Sequence, residues 1–128
     1  MNSKVYAAGV LIQKDRLILA AKRKDSELFG FPGGKIDPEE KASYAAIREC
    51  FEETGFVTFL YLPSAYAGID DSDNVVKIYR AEIVCKGPEP AENEAGYCWV
   101  SPKVIATQTP WPDFNQAVLA HFGIHWEN

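Results

Sequence analysis

Residues 31–56 read FPGGKIDPEEKASYAAIRECFEETGF: a Gly-rich turn, a helix start, an amphipathic helix and a helix stop in succession. Asp37 precedes Pro38, and Glu40 follows three residues after Asp37. An N-cap acceptor, a proline at the first helical position and a capping-box partner predict a helix running from Pro38 to Thr54. Gly55 stands where a left-handed C-terminal cap belongs. At roughly 100° per residue, Glu49, Glu52 and Glu53 fall within about 100° of one another. Tyr44, Ala46, Ile47, Cys50 and Phe51 fall on the other side and are expected to form the buried face. Upstream, Phe31-Pro32-Gly33-Gly34 asks for positive φ and close backbone approach, which paired glycines allow.

Three neighbouring carboxylates repel one another and add nothing to stability. Arg48 supplies one positive charge, placed to pair with Glu52 one turn on. Spacing alone leaves two readings open: an acidic solvated face, or a site for a hard divalent cation such as Mg²⁺ or Mn²⁺, which carboxylate oxygens suit.

The whole stretch resembles the Nudix box, G-x5-E-x7-R-E-U-x-E-E-x-G-U, where U is a bulky aliphatic residue. Gly34, Glu40, Arg48, Glu49, Glu52, Glu53, Gly55 and Phe56 match in register. Cys50 and Phe56 depart from the usual aliphatic residues but stay apolar, so they bear on packing more than on chemistry. The resemblance implies an α/β fold, the Nudix α/β/α sandwich, with a mixed β-sheet between the box helix and a C-terminal helix. It also implies an enzyme that hydrolyses the pyrophosphate linkage of a nucleoside diphosphate joined to another group, with Mg²⁺ (or Mn²⁺) as cofactor. By the same resemblance Glu52 and Glu53 are metal ligands and Glu49 is a ligand or the base. Arg48 orients the carboxylates, Glu40 braces the helix, and the Gly33 carbonyl reaches the metal. A further glutamate joins from the segment before Trp99, with Glu94 the choice and Glu92 the reserve.

Length and charge agree with that picture. At 128 residues the chain reads as one domain, residues 1–128, with 47% apolar and 24% charged residues. A net charge of −5 argues against bulk nucleic-acid binding but not against a small polyphosphate bridged by metal. The three cysteines, Cys50, Cys85 and Cys98, are too scattered for a disulfide framework or a zinc site, and a reducing, cytoplasmic setting is expected. The apolar run Val5–Ile12 is too short for a signal peptide or a membrane span, so no membrane partner is expected. Monomer and homodimer both remain open.

Along the chain, Val5–Gln13 and Arg16–Lys22 read as a hairpin about Lys14-Asp15. Lys22-Arg23-Lys24 is either a charged strand end or a phosphate clamp. In the MutT-like branch a basic residue at this place faces the substrate, which makes Arg23 the candidate. Val57–Gly68 and Val75–Val84 read as strands around an acidic loop. The calcium reading of Asp70-Asp71-Ser72-Asp73 fails, because Val76 stands where an EF-hand loop starting at Asp71 needs glycine. Lys86–Gly96 is a polar loop, Tyr97–Val100 a short strand, Ser101–Ala106 a helical turn. Phe114 to about Phe122 reads as the last helix, with Val118, Leu119 and Phe122 inward and Gly123 as its stop. His121 and His125 are expected at the surface or in packing.

Substrate choice lies outside the box. The segment Trp111–Val118 is similar to the MutT-type segment in which an Asn at the position of Asn115 reads an oxidised guanine. An Asn side chain offers donor and acceptor together, and Phe31 could stack in the same pocket. Arg23, Phe31, Lys35 and Asn115 are the expected substrate-binding set. The first reading is a (d)NTP pyrophosphohydrolase of MutT type that releases NMP and pyrophosphate, with 8-oxo-dGTP or a related nucleotide as a substrate. Two others are a Nudix hydrolase of a nucleotide sugar, dinucleotide or RNA cap, and a non-catalytic Nudix nucleotide sensor.

Overall fold

The structure, a computed structural model, describes residues 4–23, 26–70, 72–87 and 96–127. Among them the chain runs β1 (Val5–Leu11), β2 (Gln13–Lys14), β3 (Leu17–Lys22), β4 (Phe29–Gly30), β5 (Gly33–Lys35), α1 (Ala42–Thr54), β6 (Phe56–Ile69), β7 (Val75–Lys86), β8 (Tyr97–Val100), α2 (Pro102–Thr107) and α3 (Pro112–His121). One sheet has the order β5-β1-β7-β6 and is mixed, with β1 parallel to β7 and antiparallel to β5. In the other, β3 is paired antiparallel with β2, β4 and β8.

Side-chain alternation decides which helix covers which face. A strand turns successive residues to opposite sides. Ala8 and Val10 of β1, Leu19 of β3 and Tyr79 and Ala81 of β7 therefore pack with Ala45, Ala46 and Cys50 of α1. Their neighbours Leu11, Ile18, Ala20 and Ile78 pack with Ile105 of α2 and with Phe114, Val118 and Leu119 of α3. Both cores are closed, and each fully buried Leu, Ile or Val contributes about 1.5–3 kcal/mol. This is the α/β/α sandwich expected from the sequence, with its mixed sheet and a second, antiparallel sheet beside it. No helix among the described residues is long and apolar enough to cross a membrane.

Several boundaries differ from expectation. The first hairpin is β2 with β3, closed at Asp15 with φ 57°, whereas β1 belongs to the other sheet. The chain changes sheets at Ile12, whose carbonyl still accepts from Leu19 N at 3.0 Å. Helix α1 begins at Ala42 rather than Pro38. Glu39 takes φ 66°, and Glu40 N donates to the Asp37 carbonyl at 3.0 Å. Proline followed by a positive-φ residue and an i to i+3 bond is type II turn geometry, so the same letters that suggest an N-cap close a turn instead. The N-cap is Lys41, with no side-chain cap bond. The far end is as expected: Gly55 has φ 80°, and its N–H donates to the Phe51 carbonyl. Tyr44 is 62% exposed rather than buried, and Ala45 takes the inward position. Helix α3 starts two residues early because Pro112 is its first residue.

Candidate active site

Two of the three acids, Glu49 and Glu53, are not on the face away from the core. Ala42, Ala45, Ala46, Glu49, Cys50, Glu53 and Thr54 recur at helical spacing, and Ala45, Ala46, Cys50 and Thr54 are buried. Glu49 and Glu53 thus lie in the seam where α1 meets the sheet, while Glu52 points to solvent at 53% side-chain exposure. Burial, reinforced by the neighbouring Glu52 charge, raises the Glu49 carboxyl, against the opposing pull of Arg48. Glu53 is pushed up to about 8, chiefly by burial, although its Oε1 accepts the Gly33 N–H at 2.8 Å. The adjoining Cys50 thiol is raised to about 11 by the same burial, consistent with a packing role.

Arg48 straps this helix to the turn before it. Its Nε donates to Glu40 Oε2 at 2.8 Å and its Nη2 to Glu40 Oε1 at 2.9 Å, a bidentate pair. Nη1 reaches Glu49 Oε2 at 3.2 Å and Glu52 Oε1 at 3.1 Å, and Nη2 also reaches the Lys35 carbonyl at 3.1 Å. Asp37 adds an ion pair at 3.5 Å. Glu40 in turn accepts Asp37 N–H at 3.0 Å, the reach-back of a capping box made within the turn. Arg48's hydrogen bonds, helped by that N–H, lower the Glu40 carboxyl to about 2.

Gly33 and Gly34 do not take positive φ; among the described residues the positive-φ glycines are Gly55 and Gly123. Their use is close approach. A Cβ on Gly33 would stand 2.6 Å from both Ala8 O and Gly9 Cα of β1, and one on Gly34 would stand 2.5 Å from Glu49 Oε2. The second glycine keeps room for a carboxylate rather than for backbone. Gly34→Ala is therefore expected to leave stability within about 1 kcal/mol, because a half-buried side chain can swing aside, but to displace Glu49. About a tenfold fall in kcat with an unchanged urea midpoint is the outcome that checks this; unchanged kcat would show that the position of Glu49 is immaterial.

On the other side of the same glycines lies a cavity of about 360 Å³. Its walls are Phe31, Val76, Ile78, Trp111 and Phe114, and its polar groups include Arg23, Lys35, Asp70 and Asn115. All four expected substrate-binding residues thus meet in one place, beside Gly33 and Gly34. The Arg23 guanidinium lies 4.8 Å from the centroid of the Trp111 ring, and Lys35 Nζ lies 5.4 Å from that of Tyr6. Asn115 is 2% exposed, and its amide nitrogen donates to Ile105 O at 2.9 Å and Thr109 Oγ1 at 3.1 Å. Both of its hydrogens are used inside the protein, so the double donor–acceptor reading expected from sequence reduces to an acceptor.

A family model of the NUDIX domain matches residues 3–122. The chain belongs to the Nudix family. A protein of Bacillus subtilis (strain 168), provisionally named an 8-oxo-dGTP diphosphatase, is 36% identical over 101 residues, covering 73% of this chain and 63% of that protein. A MutT-like protein of Streptomyces ambofaciens is 37% identical over 51 residues, covering 40% of this chain and 33% of that protein. The chain therefore spans less than two thirds of either relative. A solved NUDIX hydrolase from Nitrosomonas europaea has the same fold, with a TM-score of 0.74 at 19% identity over 94% of this chain and 89% of that one.

Within the Nudix box, Gly34, Glu40, Arg48, Glu49 and Glu53 come together around the start of β5 and the seam of α1. Among the described residues no three His, Cys, Asp or Glu side chains already converge as a metal cluster. Arg48 sits between Glu49 and Glu52, and Glu53 is turned onto Gly33. Glu94 and Glu92 lie outside the described residues, as do Lys24 and Asp71. Tyr6, Asp70 and Trp111 are among the cavity residues that the sequence does not single out for a pocket. Trp111 could have been found from its place one residue before the proline that opens α3; Tyr6 and Asp70 carry no local signal.

Proposed function

We propose that this Nudix chain is a divalent-metal-dependent pyrophosphohydrolase of nucleoside triphosphates, of MutT type, releasing NMP and pyrophosphate, with 8-oxo-dGTP among its substrates. The observation that carries the reading is the sharing of Gly33 and Gly34 between the carboxylate seam and an apolar cavity with cations at its edge. An anhydride held across that boundary would have its base in the cavity and its phosphates beside Glu49, Glu52 and Glu53. The name of the Bacillus subtilis relative supports the choice of substrate.

The residues fit Mg²⁺ or Mn²⁺. The donor set is all carboxylate and carbonyl oxygen, which suits hard ions. Glu53 is a carboxylate held in a seam where burial opposes its charge, a placement that favours a cation partner. Glu49, Glu52, Glu53 and the Gly33 carbonyl would hold the ion, with Glu94 as a further ligand. When bound, the metal neutralises charge on the bridging and non-bridging phosphate oxygens and activates water. The chain's own residues supply the rest. Arg23 and Lys35 bind phosphate oxygens. Arg48 fixes Glu49 and Glu52, and a seam carboxylate, Glu49, takes the proton of the attacking water. The walls of the cavity exclude bulk water from the base.

A phosphate-release screen over nucleoside triphosphates, oxidised nucleotides and nucleotide sugars tests this, with Mg²⁺ or Mn²⁺ and with chelator in their place. Turnover is expected on purine triphosphates and none in chelator. Glu52→Gln is expected to lose at least about 10²-fold in rate. Metal-independent turnover, or full activity in Glu52→Gln, would reject the metal site; turnover confined to nucleotide sugars would reject the substrate.

A further inference from the structure

Among the described residues Asp70 is the carboxylate that lines the cavity from the β6–β7 connection, and nothing in the metal site uses it. Its Oδ1 accepts Ser72 N–H at 2.9 Å and Asn74 N–H at 3.0 Å, which fixes the side chain in a turn. It makes no ion pair among the described residues, so Oδ2 remains available as an acceptor.

Asn115 offers a second acceptor on a different wall. With both amide hydrogens committed to Ile105 and Thr109, only Oδ1 is left to meet a ligand. Among the described residues no protein donor reaches that oxygen. Asn115 is one of the residues lining the cavity, which puts that acceptor at its wall.

Resting on the nucleotide reading above, we infer that Asp70 is a specificity-determining residue that makes the cavity select purines carrying N–H donors, guanine and above all its 8-oxo form. The chemistry follows from counting donors. Guanine presents N1–H and the 2-amino group side by side on one edge, and the 8-oxo form adds N7–H on the other. A base with donors on both edges satisfies two acceptors that stand on separate walls. Hypoxanthine lacks the 2-amino group, and xanthine replaces it with a carbonyl that faces the carboxylate with like polarity. An acceptor that the bound base covers without matching carries a desolvation cost, so discrimination exceeds what shape alone provides.

The test is equilibrium binding of nucleoside monophosphates, followed by quenching of tryptophan fluorescence, because Trp111 lines the cavity and binding needs neither metal nor turnover. In the unaltered chain the expected order of affinity is 8-oxo-dGMP, dGMP, then dIMP, with dXMP weakest and dGMP about tenfold tighter than dIMP. Asp70→Asn keeps Oδ1 for the turn and turns an N–H₂ toward the ligand; the dGMP to dIMP ratio is expected to fall to about one, with circular dichroism unchanged. Equal affinity for dGMP and dIMP in the unaltered chain overturns the inference, and that comparison needs no substitution. Equal weakening of both ligands by Asp70→Asn, as a contact to the sugar would give, overturns it too. Hydrolysis of triphosphates without this selectivity would leave the proposed reaction standing and remove Asp70 from it, whereas selective binding without hydrolysis would do the reverse.

Discussion

Glu53→Gln is expected to lose about 10³-fold or more in kcat while the metal-free chain melts at the same temperature or higher. The two effects have opposite sign for one physical reason. Glu53 lies in the α1 seam, where burial opposes ionisation and raises its carboxyl to about 8. Gln keeps the Oε1 that accepts Gly33 N–H at 2.8 Å and discards the charge that burial disfavours. A carboxyl placed where the fold gains nothing from its charge fits the proposed role toward a metal ion. The measurements are kcat with Mg²⁺, and melting temperature with and without Mg²⁺. The unaltered chain is expected to gain thermal stability from the ion in proportion to its occupancy, and Glu53→Gln to gain none. A variant that retains its rate, or one that loses its fold without metal, would assign Glu53 to structure.

What could be read from the letters, and what could not, divides by range. The end of α1 was legible because a left-handed glycine cap is local, and Gly55 closes the helix where expected. The start was not, since Asp37-Pro38-Glu39-Glu40 serves a turn as well as an N-cap; the positive φ of Glu39 decides between them. The box acids were legible as a cluster, yet the face of Glu49 and Glu53 was misplaced, while Glu52 is on the solvent side as expected. A periodicity argument sorts Glu outward by hydropathy, whereas Glu49 and Glu53 occupy seam positions across from β5, where Gly34 leaves room for Glu49 and the Gly33 N–H meets Glu53. That room is a tertiary property. So is the pairing of β1 with β7 rather than with β3, which joins residues some seventy positions apart, as Gly9 with Ile78. Asn115 was legible as a pocket residue, but the use of both its amide hydrogens by Ile105 and Thr109 appears only once α2 and α3 are packed.

Arg48→Ala is expected to weaken both the fold and the reaction, by about 1–2 kcal/mol in the unfolding free energy taken from urea denaturation and by about 10- to 10²-fold in kcat/KM. The guanidinium is 30% exposed and Glu40 16%, so the pair is neither a screened surface contact nor a fully desolvated one, and the stability figure sits between those limits. Removing Arg48 strands a mostly covered carboxylate and the Lys35 carbonyl, and releases the turn from the helix. It also frees Glu49 and Glu52 to repel each other and drift from the seam, which is the route to the kinetic loss. Arg48→Lys should recover less than half of either effect, because one ammonium cannot copy a planar fork that meets Glu40 through two nitrogens. The acid limb gives an independent reading. Glu40 is lowered from 4.5 to about 2 in the fold, so its contribution is complete above the unfolded value and disappears as pH falls through the folded one. Stability measured between pH 4.5 and pH 2 should therefore fall more steeply in the unaltered chain than in Arg48→Ala. Parallel acid limbs would mean that Glu40 is held down by something other than Arg48, and the strap would then be a consequence of the fold rather than one of its supports.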